Sequence, residues 1–117
     1  MTYIKPTKGE KARMDRIAMM RCVACWDTGL CCGNTEVHHL NMFGKAGHKR
    51  RGHSYTVPLG RWHHQGIPLN GTTTNQMRLF FGPSLKLHSK AFRATYGSDD
   101  DLLMKVNAVI DAHKESL

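Results

Sequence analysis

Apolar and polar positions follow a clear period only over parts of the chain. From about Lys8 to Arg21, Ala12, Ile17, Ala18 and Met20 are spaced among Lys11, Arg13, Arg16 and Arg21. These are good helix formers, and the spacing predicts a helix with one basic face. The pattern ends in "CVACWDTGLCCGN", where Gly29 and Gly33 interrupt every period and all four cysteines gather. Such a stretch is a loop held by something other than an apolar core. "TEVHHL" and "SYTVPL" are short β-like runs on either side of the Gly-rich, strongly basic "NMFGKAGHKRRGH". Together they predict a small antiparallel hairpin with a long connection. After Pro58, "GRWHHQ" can turn helically, but Gly66 and Pro68 stop it after little more than a turn. Residues 69–83 read as irregular and partly apolar.

The helical period returns from Ser84 to Tyr96, where Leu85, His88 and Phe92 stand at steps of three and four and Gly97 is a suitable terminator. His88 is therefore expected to face inward. Ser98 can cap a last helix whose positive end carries Asp99, Asp100 and Asp101 and whose apolar stripe is Leu102, Leu103, Val106, Val109 and Ile110. That helix reads as scaffold. With 117 residues the chain is expected to form a single domain, 1–117: a basic N-terminal helix in 1–21, the Cys-rich loop and hairpin in 22–66, and C-terminal helices in 84–114.

Charge narrows the partners. Seventeen Lys and Arg against nine Asp and Glu leave a formal net charge of +8, and the one acidic run is "SDDD". A polyanion is the natural partner, and nucleic acid is the commonest polyanion. No segment approaches the roughly 20 apolar residues of a membrane span, and the first residues carry charge without an apolar stretch, so neither a membrane nor a secretory signal is expected. A cytoplasmic location follows. In that reducing setting four cysteines are read as metal thiolates in preference to a disulfide framework. Cys22 and Cys25 form a CxxC, and Cys31 and Cys32 lie a short loop away. Adjacent residues send their side chains apart, so the expected structural zinc set is Cys22, Cys25, one of Cys31 or Cys32, and a histidine.

The histidines stand in two adjacent pairs, in "EVHHLN" and "RWHHQG". Neighbours in a strand point to opposite faces and neighbours on a helix lie about 100° apart, so the members of a pair divide their work. A strand ending in HH, a basic loop, a second strand with "VPL" and then another HH resemble the HNH endonuclease superfamily. The longer pattern "VHHL…YTVPLGRWHHQG…H…F…YG", over roughly residues 22–97, is similar to the phage recombination-enhancement nucleases that cut RecA-bound DNA. The resemblance implies an α+β fold with a small ββα-metal core, a zinc knuckle and flanking helices, and a metal-dependent DNA endonuclease of phage origin. It also implies a RecA-like recombinase filament as a partner. A monomer is expected.

Carried onto this chain, the resemblance makes His38 a ligand of the catalytic ion and His39 the general base that deprotonates water. His63 becomes the last knuckle ligand and His64 a second catalytic-ion ligand. The chain departs from the family pattern at Gly60, where the second knuckle has a cysteine, and this makes Cys31 and Cys32 intelligible as replacements. It departs again at Pro68, where a third catalytic ligand is common; His88 is the candidate substitute. The middle Asn that braces the base has no clean counterpart, and His53 is the candidate, ahead of Asn41. Lys45, Lys49, Arg50, Arg51 and Arg61 are expected to contact phosphates, and His48 to lie near phosphate in the basic loop. His113 is expected on the surface. Three imidazoles suit Zn2+ or Ni2+, while Mg2+ or Mn2+ favour oxygen ligands, so the working ion stays open among these four. The rival reading is a non-catalytic zinc-binding module that binds nucleic acid, with Trp62, Phe80 and Phe81 read as core in either case.

Overall fold

The hairpin organises the chain. In a computed structural model that describes residues 5–41 and 52–115, with side chains through residue 112, β1 (Thr35–His39) and β2 (Thr56–Gly60) form a two-stranded antiparallel sheet. Its register sets His38 opposite Val57 and His39 opposite Thr56. β2 is buried along its whole length and β1 is half-buried, so β2 lies against the core and β1 forms the outer edge. The basic connection between them falls outside the described residues, and with it Lys45, His48, Lys49, Arg50 and Arg51. So does the side chain of His113.

Before the sheet, α1 (Lys8–Ala18) starts at a capping box in which the Thr7 side chain accepts from the Glu10 N–H and the Glu10 carboxylate accepts from the Thr7 N–H. The helix ends three residues sooner than its composition suggests. Met20 already belongs to the turn into the Cys-rich loop, and the Thr35 hydroxyl donates to its carbonyl at 2.7 Å. A single turn of tight helix at Val23–Cys25 follows. After the sheet, α2 (Arg61–Gln65) runs one turn and stops at Gly66, whose φ of +71° is the left-handed conformation that glycine adopts freely.

Three further helices, α3 (Thr74–Phe81), α4 (Ser89–Tyr96) and α5 (Asp99–Glu115), close the described fold. The existence of α3 corrects the irregular reading of 69–83. Its signals are the Thr73–Gln76 capping box, with bonds of 2.9 and 3.1 Å, and Met77, Phe80 and Phe81 at steps of three and four, although only Met77 of this helix is fully buried. Phe80 is 70% exposed, so it is not core, whereas Trp62 is fully buried and its indole N–H donates to the Gly82 carbonyl at 3.0 Å. The last predicted helices shift similarly. α4 begins five residues later than the spacing suggests, with His88 at its N-cap, and Val109 of α5 is exposed while Leu102, Leu103, Val106 and Ile110 are buried. The core they join contains Ile17, Leu40, Val57, Leu59, Trp62, Met77 and Phe92. No described helix is long and apolar enough to cross a membrane.

One residue of the supposed basic face of α1 has a different task. Arg13 is half-buried: its Nε donates to Thr56 Oγ1 at 3.1 Å, and its terminal nitrogens donate to the Thr56 carbonyl and to Asn107 Oδ1, both at 2.8 Å. It thus ties α1, β2 and α5 together. The Thr56 hydroxyl in turn donates to the His53 carbonyl, so the clamp extends to the segment that carries His53. Arg13→Ala leaves a buried threonine oxygen and carbonyl without this donor and should cost about 2 to 4 kcal/mol. Urea unfolding of zinc-loaded protein measures it; a loss below about 0.5 kcal/mol would mean that the clamp is incidental.

Candidate metal centres

Three cysteines and one histidine converge behind the sheet. Cys22 and Cys25 sit at the ends of the tight turn, Cys32 comes from the loop before β1, and His63 projects from α2. All four are buried, and their ligand atoms lie within 4.8 Å of one another. His63 Nδ1 is 3.4 Å from Cys22 Sγ, 3.5 Å from Cys25 Sγ and 3.1 Å from Cys32 Sγ. A tetrahedral ion with bonds of about 2.3 Å to sulfur and about 2.0 Å to nitrogen sets those atoms about 3.5 Å apart, so the group fits zinc.

The electrostatics agree with the spacing. Burial opposes a charged ring at His63, but the three surrounding sulfurs outweigh it and push the imidazole pKa up. The pocket therefore favours a positive charge at this point, which a metal cation would supply. On the far side of the ring, Nε2 donates to the Phe81 carbonyl at 2.8 Å. This fixes the tautomer that aims the Nδ1 lone pair at the three sulfurs. Tyr96 backs the ring at 3.2 Å and donates to the same carbonyl at 2.6 Å. Phe81 and Tyr96 are contributors that the sequence reading missed.

Placement separates Cys31 from Cys32. Cys31 is exposed, with its thiol against the Gly33 carbonyl, and takes no part in the group. Gly60 explains the substitution. A Cβ built at position 60 would overlap Cys32 Sγ and stand 3.6 Å from Cys22 Cβ. The third thiolate thus comes from the loop and occupies the space that a side chain at 60 would fill.

The neighbouring histidine turns elsewhere. His64 Nε2 lies 3.1 Å from His38 Nδ1 on β1, and His64 Nδ1 lies 2.9 Å from Glu36 Oε1. Burial alone would raise the Glu36 carboxyl, but bonds from Gln65 and His64 and the charges of His64 and Arg61 hold it below its usual value. It is a carboxylate at neutral pH and accepts the Nδ1 proton of His64. The Nε2 lone pair is then aimed at His38. Two imidazole nitrogens on one ion stand about 2.9 Å apart across a right angle and about 3.3 Å across a tetrahedral angle, which brackets the observed separation. Carboxylate, histidine and metal in this order form a common supporting arrangement. Glu36 lies two residues before His38, on the same face of the strand, and that period was the available signal for it.

On the opposite face of β1, His39 Nε2 meets His53 Nδ1 at 3.1 Å, with the rings edge to face. Asn41 is not part of this contact and lines a cleft beside His38 and His64. Arg61 is exposed at the start of α2, within electrostatic reach of Glu36. His88 is a correction. Because it caps α4 instead of riding on its face, its Nδ1 accepts the Ser84 N–H at 3.2 Å and its ring lies against Trp62. Desolvation and the charge of Arg78 lower its pKa. Among the described residues, neither His88 nor any other His, Cys, Asp or Glu completes a three-member ligand group with His38 and His64.

A family model described as "Recombination enhancement, RecA-dependent nuclease" matches residues 6–111. No curated protein and no solved structure matches the chain.

Elemental analysis of the purified protein should find about one zinc per chain. Cys32→Ser should lose it and Cys31→Ser should keep it. Gly60→Ala, which drives a methyl group into Cys32 Sγ, should also lower the zinc content. Equal zinc in Cys31→Ser and Cys32→Ser would contradict the assignment.

Proposed function

The chain belongs to the recombination enhancement, RecA-dependent nuclease family, and from that premise we propose that it is an HNH-type endonuclease that hydrolyses DNA phosphodiester bonds with a single catalytic ion. The 3.1 Å approach of His38 to His64, backed by Glu36, is the observation that carries this reading. In it β1, β2 and α2 form the ββα-metal core, the Cys3His group is the structural zinc knuckle, and His38 and His64 hold the catalytic ion. When bound, that ion polarises the phosphate and offsets the charge that develops on the leaving oxygen.

The chain's own residues supply the rest. His39 takes a proton from the attacking water, and a side-chain base is what allows one ion to suffice. His53, at hydrogen-bond distance, orients the His39 ring and fills the bracing role of the missing asparagine. The pair is in turn held by Thr56 and Arg13 through the His53 carbonyl. Among the described residues His38 and His64 are the imidazoles that would hold the ion, and water and phosphate oxygens would give a mixed set open to Mg2+, Mn2+, Ni2+ or Zn2+. The +8 net charge supports DNA as the substrate. The family name supports a RecA-like filament as the context in which the enzyme acts.

His39→Ala should reduce cleavage of RecA-coated DNA by at least about 100-fold while DNA affinity stays within a few-fold. Nicking assays with each of the four ions, paired with fluorescence anisotropy, check both halves. Normal cutting by His39→Ala would remove the general-base assignment, and no cutting by the wild type under any of these conditions would favour a non-catalytic zinc module.

A further inference from the structure

The cleft in front of His38 and His64 has a second wall, contributed by the segment that leads into α4, by α4 itself and by the first turn of α5. The cleft has a volume of about 250 Å3, and Lys86, Ser89, Arg93 and Asp99 line it together with the two imidazoles. Ser89 and Arg93 are four residues apart on α4 and share one face of it, which is the face turned to the cleft.

Arg93 stands out among these. One of its terminal nitrogens lies 3.5 Å from Asp99 Oδ1, and the Asp99 side chain is only 9% exposed against 28% for Arg93. A guanidinium offers five N–H donors in a rigid fork, and a single carboxylate oxygen at that distance engages a minor part of them. Among the described residues no other side-chain bond of Arg93 is present, and Arg93 lines the cleft, so its remaining donors are available to a ligand there. Asp99 sits in the first turn of α5, where the helix end favours its negative charge. It can therefore hold a cation in place without leaving the cleft net negative, since Lys86 and Arg93 both contribute positive charge. The result is a guanidinium, a second cation and a hydroxyl beside paired imidazoles. That combination matches a phosphodiester group.

We propose that Arg93 grips the reacting phosphate in this cleft, that Asp99 positions its guanidinium, and that Lys86 and Ser89 complete the anion pocket. The proposal rests on the nuclease reading above and adds to it the groups that hold the substrate's charge. As water adds to phosphorus, negative charge accumulates on the oxygens outside the breaking bond. A preorganised guanidinium stabilises that state more than the bound diester, so its effect falls on turnover more than on binding.

The test compares full-length, zinc-loaded wild type with Arg93→Ala, Arg93→Lys and Asp99→Asn on RecA-coated DNA. Turnover and KM are measured separately. Affinity for the same oligonucleotide without added divalent ion, zinc content and circular dichroism are recorded for each protein. Arg93→Ala should lower kcat about 100-fold with affinity changed by no more than about three-fold. Arg93→Lys keeps the charge but loses the fork, and should recover no more than about a tenth of wild-type turnover. Asp99→Asn, acting through Arg93, should lower kcat about ten-fold with zinc content unchanged. If Arg93→Ala does not fold, the two conservative variants decide. Wild-type kcat in folded Arg93→Lys and Asp99→Asn overturns the proposal, as does a pattern in which the variants lose zinc and thermal stability while kcat per folded molecule is unchanged. Variants that cut as well as a cutting wild type sink this inference alone, whereas a wild type that cuts nothing sinks the nuclease reading with it.

Discussion

The convergence of Cys22, Cys25 and Cys32 on His63 is the constraint on which the placement of the sheet and α2 depends. A two-stranded sheet is marginal in water, and α2 is a single turn that could not persist unaided. The cluster pins both from the buried side. His63 carries the constraint onward, because its Nε2 bond to the Phe81 carbonyl, shared with Tyr96, binds the C-terminal ends of α3 and α4 to the same point. A small chain with a modest core thereby acquires a rigid base under β2 and α2. The catalytic geometry proposed for His38, His39 and His64 requires such a base, since an error of about 1 Å in placement is costly to chemistry.

Two different periods divide the adjacent histidines. On β1 the pleat sends His38 toward α2 and His39 toward the segment before β2, so one meets His64 and the other meets His53. On α2 the 100° step separates His63, buried among sulfurs, from His64, which faces Glu36 and His38. Each doublet therefore straddles two environments with opposite demands. The first pocket is dry and needs a cation; the second is partly open and retains space for a ligand. Arg13 links this arrangement to the N-terminal helix through Thr56, and the Arg93–Asp99 pair closes the cleft from the C-terminal side.

Much of this was legible in the residues. The hairpin, the brief α2 stopped by Gly66, the Ser98-capped α5 and the Cys-rich loop all follow from local pattern, as does the expectation of three cysteines with one histidine. What was illegible depended on tertiary placement. Nothing in the adjacent pair Cys31 and Cys32 says which thiol turns inward; the answer lies across the fold, in the side-chain-free space at Gly60. His88 looked helical by spacing, but the chain turns through 85–87 before α4 begins, so its ring lands on Trp62. α3 did carry a pattern, the Thr73–Gln76 capping box with Met77, Phe80 and Phe81 at helical steps, but Gly71 and the threonines around the cap read as loop, and Phe80 lies exposed in the fold. Glu36 was visible in principle at an alternate position beside His38, whereas Arg93 and Asp99 reach the cleft only through the packing of α4 and α5.

The division of the doublets between two metals is tested most directly by element-specific anomalous scattering from crystals of the zinc-loaded protein soaked in Ni2+. The expected map has a zinc peak among Cys22, Cys25, Cys32 and His63 and a separate nickel peak between His38 Nδ1 and His64 Nε2. A single ion shared by His63 and His64, or the absence of any ion between His38 and His64 in crystals that retain zinc at the cysteines, would contradict it.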